Sequence, residues 1–285
     1  MDIQTYRPRL EEHIRLHRHI YLLLTVLVLT NLTVFRDLIF DWSHDDNYSH
    51  GFLIIPIAVW LFLRKRRELI FPATPSRLGI VVVLLGCIFL LFGMAAREFF
   101  TTRVAIVMMV TGLGSYYLGY ANFRKVWFSF FFLLFMIPIP AVIYYQATLP
   151  MQMLATKVTV SLLQFIGVAC TQKGNIIELP GYALEVVEAC SGLRSLVTLM
   201  ALAALYGYLS LEGKVRPIIL FMAAIPIAIV TNIFRVFVTA IGAYAVSPAM
   251  AENFLHEISG MLVFVTALIL TVILGGVLRW RKRSS

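Results

Sequence analysis

The sequence predicts an all-α fold, a polytopic transmembrane helix bundle of about eight spans with a small outer-face hairpin before Cys190. Three observations carry this. The 285 residues are 60% hydrophobic and only 14% charged, where soluble domains are about one quarter charged. Apolar runs of about 20 residues, the length that crosses a bilayer, succeed one another with short loops between them. The Lys and Arg residues collect in alternate loops, as the positive-inside rule requires.

The elements follow in order. Residues 1–19 form a basic tail carrying Arg7, Arg9, Arg15 and Arg18, placed in the cytoplasm. The apolar stretch after it is long and lacks a small-x-small cleavage site, so it reads as an uncleaved first span over 20–40. An acidic loop, Asp41 to His50, lies outside. Span two, 51–63, is short and ends at Arg64-Lys65-Arg66-Arg67, a cytoplasmic stop. Span three covers 78–96, with an outer loop from Arg97 to Arg103. Span four, 104–121, returns to Arg124-Lys125, and span five, 126–145, passes Pro138 and Pro140, which suggest a kinked or broken helix end.

Residues 150–169 have helical periodicity but carry Gln152, Lys157, Thr159, Ser161 and Gln164. They suit an interfacial amphipathic helix or a polar helix packed inside the bundle. Two short β-type runs then flank Pro180-Gly181, a type II turn dipeptide, and predict the hairpin. Span six runs from Cys190 to Leu209. Span seven runs from Pro217 to Ala245, too long for one straight crossing. Span eight runs from His256 to the basic tail 279–285, so the membrane domain covers 20–278.

This arrangement leaves seven of the 24 Lys and Arg residues outside: Arg36, Arg97, Arg103, Lys157, Lys173, Arg194 and Arg235. The reverse orientation would invert that bias, so both termini are expected inside. The net charge of +9 therefore reflects topology and not nucleic-acid binding. Three scattered cysteines make neither a disulfide framework nor a metal cluster. The sequence calls for no metal and no cofactor, and it holds no P-loop, dinucleotide fingerprint, HExxH or GxSxG.

Three polar residues border or interrupt apolar runs at the same end of their helices: Cys190, Arg235 and His256. A charged side chain at the centre of a span costs about 2.5–3.5 kcal/mol on insertion scales, so it is a functional-site candidate by default. Cys190 falls in the first turn of span six, where unsatisfied N–H groups favour a thiolate. Arg235 keeps its charge at any accessible pH and suits an oxyanion or thiolate. His256 can carry a proton near neutrality. Taken singly, each has a plainer explanation: a buried filler, a snorkelling arginine, an interfacial cap. Three spans delivering them to one leaflet favours an enzyme. Supporting candidates are Glu188, Asn232, which shares a helix face with Arg235, and His50 at the outer mouth of span two.

Glu188-Ala-Cys190-Ser-Gly-Leu-Arg194, Asn232-Ile-Phe-Arg235 and His256-Glu-Ile-Ser-Gly260 resemble the three signature blocks of the exosortase/archaeosortase family. Tyr48-Ser-His-Gly51 resembles its early motif. The likeness spans roughly residues 40–278, and His256 at the third block is similar to the bacterial exosortase branch. It implies a membrane-embedded cysteine protease or transpeptidase, multi-pass in the bacterial inner membrane, with its active site facing the periplasm. Substrates would be membrane-anchored proteins with a carboxy-terminal sorting signal: a Pro-Glu-Pro type motif, a transmembrane helix and a basic tail. By that likeness Cys190 is nucleophile, Arg235 charge stabiliser and His256 general acid/base, with the acceptor amine open. The competing reading is a transporter or scaffold for export of polysaccharide or lipid-linked intermediates, in which Arg235 binds phosphate and Cys190 is incidental. A membrane acyltransferase is a third.

Overall fold

A computed structural model describes residues 18–19, 21–71, 73–186, 193–246 and 254–280, with the side chains of 254–258 excepted. The calls on the tails 1–19 and 279–285 fall largely outside these residues. The chain divides into two compact units, Met1–Pro138 and Ile139–Ser285.

The first unit opens with α1 (Tyr21–Thr30) and α2 (Leu32–His44), bent by 68° to one another. The expected single span over 20–40 breaks at Asn31 for a local reason. The Thr30 hydroxyl donates to the Val26 carbonyl at 2.8 Å, and the Asn31 amide donates to the Leu27 carbonyl at 2.9 Å. Such side-chain bonds to the preceding turn compete with the helix ladder and bend it. α2 runs on to His44 and so absorbs Asp41, which the sequence placed in a loop.

α3 (Gly51–Lys65) buries Gly51, Ile54, Ala58 and Leu61, one stripe at helical spacing. α4 (Arg77–Ala96) matches span three closely. α5 (Phe99–Phe132) packs antiparallel on it, starting from the Glu98 carboxylate, which accepts from the backbone N–H of Phe100 and Thr101. Burial alone would raise the Glu98 pKa, but these bonds, the Thr101 hydroxyl and the Arg103 charge outweigh it and hold the carboxyl below its ordinary value. The α4–α5 seam is built on glycine. Gly79, Gly86 and Gly93 stand seven residues apart on one face, all buried. A Cβ at Gly79 would lie 2.6 Å from the Gly112 carbonyl oxygen, and one at Gly112 would lie 2.8 Å from that of Gly79. Small residues of this kind allow helix backbones to meet where lipid supplies no hydrophobic drive.

Gly119 interrupts α5 with φ 69° and ψ 160°. Its left-handed conformation excludes most side chains, and any Cβ there would strike the Thr74 carbonyl. A 3-10 turn, 133–136, follows, and Pro138 and Pro140 then end the helix as expected.

The second unit begins with α6 (Ala141–Phe165), which contains Pro150. Its buried face mixes polar residues with Tyr144, Ala155, Val160 and Leu163. Thr148, Gln152, Thr156 and Thr159 are buried, while Val142, Ile143, Leu149, Met153 and Leu162 are exposed. Exposed apolar side chains beside buried threonines and a buried glutamine suit a helix with lipid on one side and the unit on the other. α6 covers 150–165 of the expected polar helix and buries one face against α8 and the sheet.

Three antiparallel strands follow: β1 (Thr171–Lys173), β2 (Ile176–Leu179) and β3 (Tyr182–Glu185), in the order β1-β2-β3. The hairpin turns at Pro180 and Gly181, whose φ of 80° fits a type II turn. β1 was missed because Thr171, Gln172 and Lys173 are polar and all exposed, so no alternation marks them. Ile177 and Leu179 seat the sheet on a core shared with Leu163 of α6 and Val236, Ala240 and Ala243 farther along the chain. Those last three belong to α8 (Val215–Ala245), which packs with α7 (Leu193–Ser210) and α9 (Phe254–Trp280). The centre of this trio is small-residue packing, with Ala203, Ala224, Ala228 and Ala267 against Leu199 and Leu220.

Among the described residues, five helical stretches are long and apolar enough to cross a bilayer, or six if α1 and α2 form one span. Two places separate this from the expected eight. α3 has only 15 residues. Spans four and five are one helical stretch, Phe99–Met136, kinked at Gly119. The transmembrane helical class itself stands.

Candidate functional site

Arg235 lies midway along the second half of α8, only 8% exposed. It does not snorkel to a surface. Its Nε donates to the Ser259 hydroxyl of α9 at 3.3 Å, and this is not its only interaction. Space for the guanidinium comes from the next residue. A Cβ added at Gly260 would stand 3.3 Å from Nη2, 3.5 Å from Cζ and 3.7 Å from Nη1. Planar and charged, the group is thus laid across a glycine and held at its inner edge by a hydroxyl, which fixes its orientation as a lysine could not be fixed.

Asn232, one turn before Arg235, is buried at 4%, and Thr239, one turn after, at 7%. These make a polar stripe on the face of α8 turned into the unit, flanked by Thr231, whose hydroxyl donates to the Ile227 carbonyl. The sequence picked out Asn232 and Arg235 and passed over Ser259. The signal was present: Ser259 and Gly260 follow His256 by three and four residues, so all three share one helix face.

His256 belongs to the first turn of α9, but its side chain lies outside the described residues. Cys190 and Glu188 lie outside them entirely. The described part of α7 starts three residues after Cys190. α7 and α8 are joined by the short link 211–214 and pack on each other, so they run antiparallel. Equal counts from that link bring Leu193 level with Asn232, one turn from Arg235. Close packing of Gly207 on Pro217 agrees with this register. The start of α7, the Arg235 turn of α8 and the Ser259 turn of α9 are therefore neighbouring levels of one three-helix packing.

The other cysteines are placed differently. Cys170 is buried, its thiol donating to the Val160 carbonyl at 3.7 Å, and burial pushes its pKa up, away from thiolate. Cys87 is exposed on α4, 3.8 Å from the Met109 sulfur.

His50 sits in the first unit, immediately before α3, and Nε2 donates to the Phe135 carbonyl at 3.2 Å. Beside it the Trp42 indole donates to the Met136 carbonyl at 2.9 Å. Both bonds tie the α2–α3 connection to the 3-10 turn ahead of Pro138. Nearby, Arg103 and Asp41 form an ion pair of 2.6 Å, joining two segments that the sequence had placed on the same side. Burial lowers the His50 pKa below 6.5, against the opposing pull of its bonds to Phe135 and Asn47. A lowered folded value means that the stabilising effect of this histidine is complete above about pH 6.5 and is lost as pH falls through the folded value. Thermal melting in detergent should therefore drop more between pH 7.5 and pH 5 for the native chain than for His50→Gln. Equal drops would remove His50 as the titrating group.

Comparison with curated proteins and with solved structures returned no match. A family model, transmembrane exosortase (Exosortase_EpsH), matches residues 42–273. That stretch takes in most of the chain, including Arg235, Ser259 and Gly260 and the positions of Cys190 and His256, and the chain belongs to the transmembrane exosortase family, membrane-embedded transpeptidases of protein sorting.

Proposed function

We propose that this chain cleaves the carboxy-terminal sorting signal of membrane-anchored proteins through a thioester on Cys190. Its main support is the seat of Arg235: a fixed cation, buried in a span, laid against Ser259 and Gly260, which follow His256 by one turn of α9. The substrate's transmembrane helix docks beside the bundle, and its Pro-Glu-Pro type motif lies at the periplasmic face of the inner membrane. The Cys190 thiolate attacks the scissile carbonyl, forming the S–C bond. Arg235 stabilises the oxyanion. As the C–N bond breaks, His256 passes its proton to the leaving amine. An incoming amine or water then gives up a proton to His256 and attacks the thioester; the C–S bond breaks and the Cys190 thiolate is released beside the protonated imidazole. With an amine the reaction is sorting; with water it is proteolysis. In this reading Glu188 orients the His256 imidazole or the Arg235 guanidinium, and Asn232, on the face of α8 that carries Arg235, supports it.

Incubating the intact protein in detergent with a sorting-signal substrate should yield a peptide adduct on Cys190, seen by mass spectrometry. Cys190→Ala should abolish both adduct and cleavage, a loss of at least about 10⁴-fold for a deleted nucleophile. Cleavage that survives Cys190→Ala overturns the mechanism. Full biological function in Cys190→Ser with no adduct in the native protein would instead favour the transporter or scaffold for polysaccharide or lipid-linked intermediates. A lipid acyl adduct would mean an acyltransferase.

A further inference from the structure

Among the described residues, the β3 edge of the three-stranded sheet is unpaired. β3 is an end strand of the sheet. Its pairing with β2 alternates. Tyr182 opposite Leu179 closes the two-residue turn, Leu184 lies opposite Ile177, and the Val186 N–H donates to the Asn175 carbonyl at 2.9 Å. In an antiparallel pair those are the hydrogen-bonded positions, so the N–H and C=O groups of Ala183 and Glu185 point the other way, off the free edge. Both residues are exposed.

Sheets normally guard such an edge with lysine, proline or a bulge. β1 carries Lys173. β3 presents one alanine and one glutamate. Its position adds a second argument. The inner side chains of β3, Tyr182 and Leu184, pack against the core that includes Val236 and Ala240, together with Ile233 and Phe237. The inner face of β3 therefore shares its core with the stretch of α8, Ile233 to Ala240, within which Arg235 falls. The chain leaves β3 at Glu185 and reaches Cys190 five residues on.

We propose that the free edge of β3 is the docking strand for the substrate: an extended peptide segment adds to it as a fourth strand and is thereby led toward the cleavage site. This rests on the peptidase reading given above. Strand addition takes its affinity from main-chain bonds and its selectivity from alternate side chains. A Pro-x-Pro segment has the right pattern for it. Residues two apart in a strand point their N–H positions to the same side, so both prolines place their missing donors outward, where an edge strand tolerates them. The residue between them turns its own N–H and C=O toward β3. Ala183 is the neutral partner for a glutamate there, since Glu185 would repel it.

The test uses full-length Cys190→Ala protein in detergent and a labelled synthetic peptide with one Pro-Glu-Pro. Binding is read by fluorescence polarisation, and KM is read separately with Cys190 intact. Ala183→Pro removes an edge donor that plays no part in the β2–β3 ladder. It should raise Kd and KM about three- to tenfold, the value of one lost hydrogen bond. Gln172→Pro, the matched change on the outer edge of β1, should leave both unchanged. A peptide N-methylated at its glutamate should bind at least about tenfold more weakly, since it loses a donor and its methyl group meets the strand. Native affinity in Ala183→Pro, equal binding of the N-methyl peptide, or no binding of the parent peptide each overturns strand addition. None of the three binding readouts needs cleavage. Peptide binding with cleavage surviving in Cys190→Ala would overturn the chemistry and leave the docking strand standing.

Discussion

Arg235→Lys is expected to lower kcat by about 10²- to 10³-fold while changing KM little. That range matches removal of one preorganised donor from an oxyanion site. Lysine keeps the charge but not the planar fork. The Nε bond to Ser259 at 3.3 Å disappears, and the flat space over Gly260 is left half filled. An interaction made only in the transition state shows in kcat, whereas uniform binding shows in KM. A lysine variant with native kcat would remove Arg235 from the chemistry. A rise confined to KM would make it a substrate-binding group, as the transporter reading would also have it. Melting temperature should be measured alongside, because truncating a buried hydrogen-bonded cation can unfold the protein outright.

Gly79→Leu should destabilise the first unit by about 3 kcal/mol or more, the upper end of the range for overpacked sites. The obstacle at Gly79 is backbone: the Gly112 carbonyl oxygen at 2.6 Å and the Tyr116 Cα at 2.7 Å from an added Cβ. No rotamer change relieves it, so α4 and α5 must separate. Gly276, on α9, has nothing within 4 Å of its added Cβ. Gly276→Ala should be neutral or raise stability by up to about 1 kcal/mol, the helix-propensity gain of alanine over glycine. Melting of both variants in one detergent checks the contrast. A Gly79→Leu protein that melts like the native one would show that the α4–α5 seam can open freely.

The extent to which the sequence anticipated the site varies residue by residue. Arg235 was legible because an arginine inside an apolar run is conspicuous on its own terms. Ser259 was not, since serine in a helix is unremarkable until the helix it faces is known. Gly260 was quoted within a motif, but its use as floor space for a guanidinium belongs to the packing of α8 on α9. His50 was read as a supporting candidate at the outer mouth of span two; its bond to the Phe135 carbonyl, 85 residues away along the chain, was not foreseen.

The elements divide in the same way. The bounds of α4 and the breaks at Pro138 and Pro140 were readable because hydropathy and proline geometry act locally. The bend at Asn31, the Gly119 kink inside α5 and the third strand depend on hydrogen bonds or close approaches that no periodicity announces.

What residue order alone determined is the solvent this chain requires and the side chains it sets at the ends of its spans, because transfer free energies and loop charges add up segment by segment. Tertiary packing decided which glycines bring helices together, how Arg235 is seated, and which strand edge is left unpaired among the described residues. Each of those is a relation between residues far apart in the chain, and a distance between two segments is not a property of either.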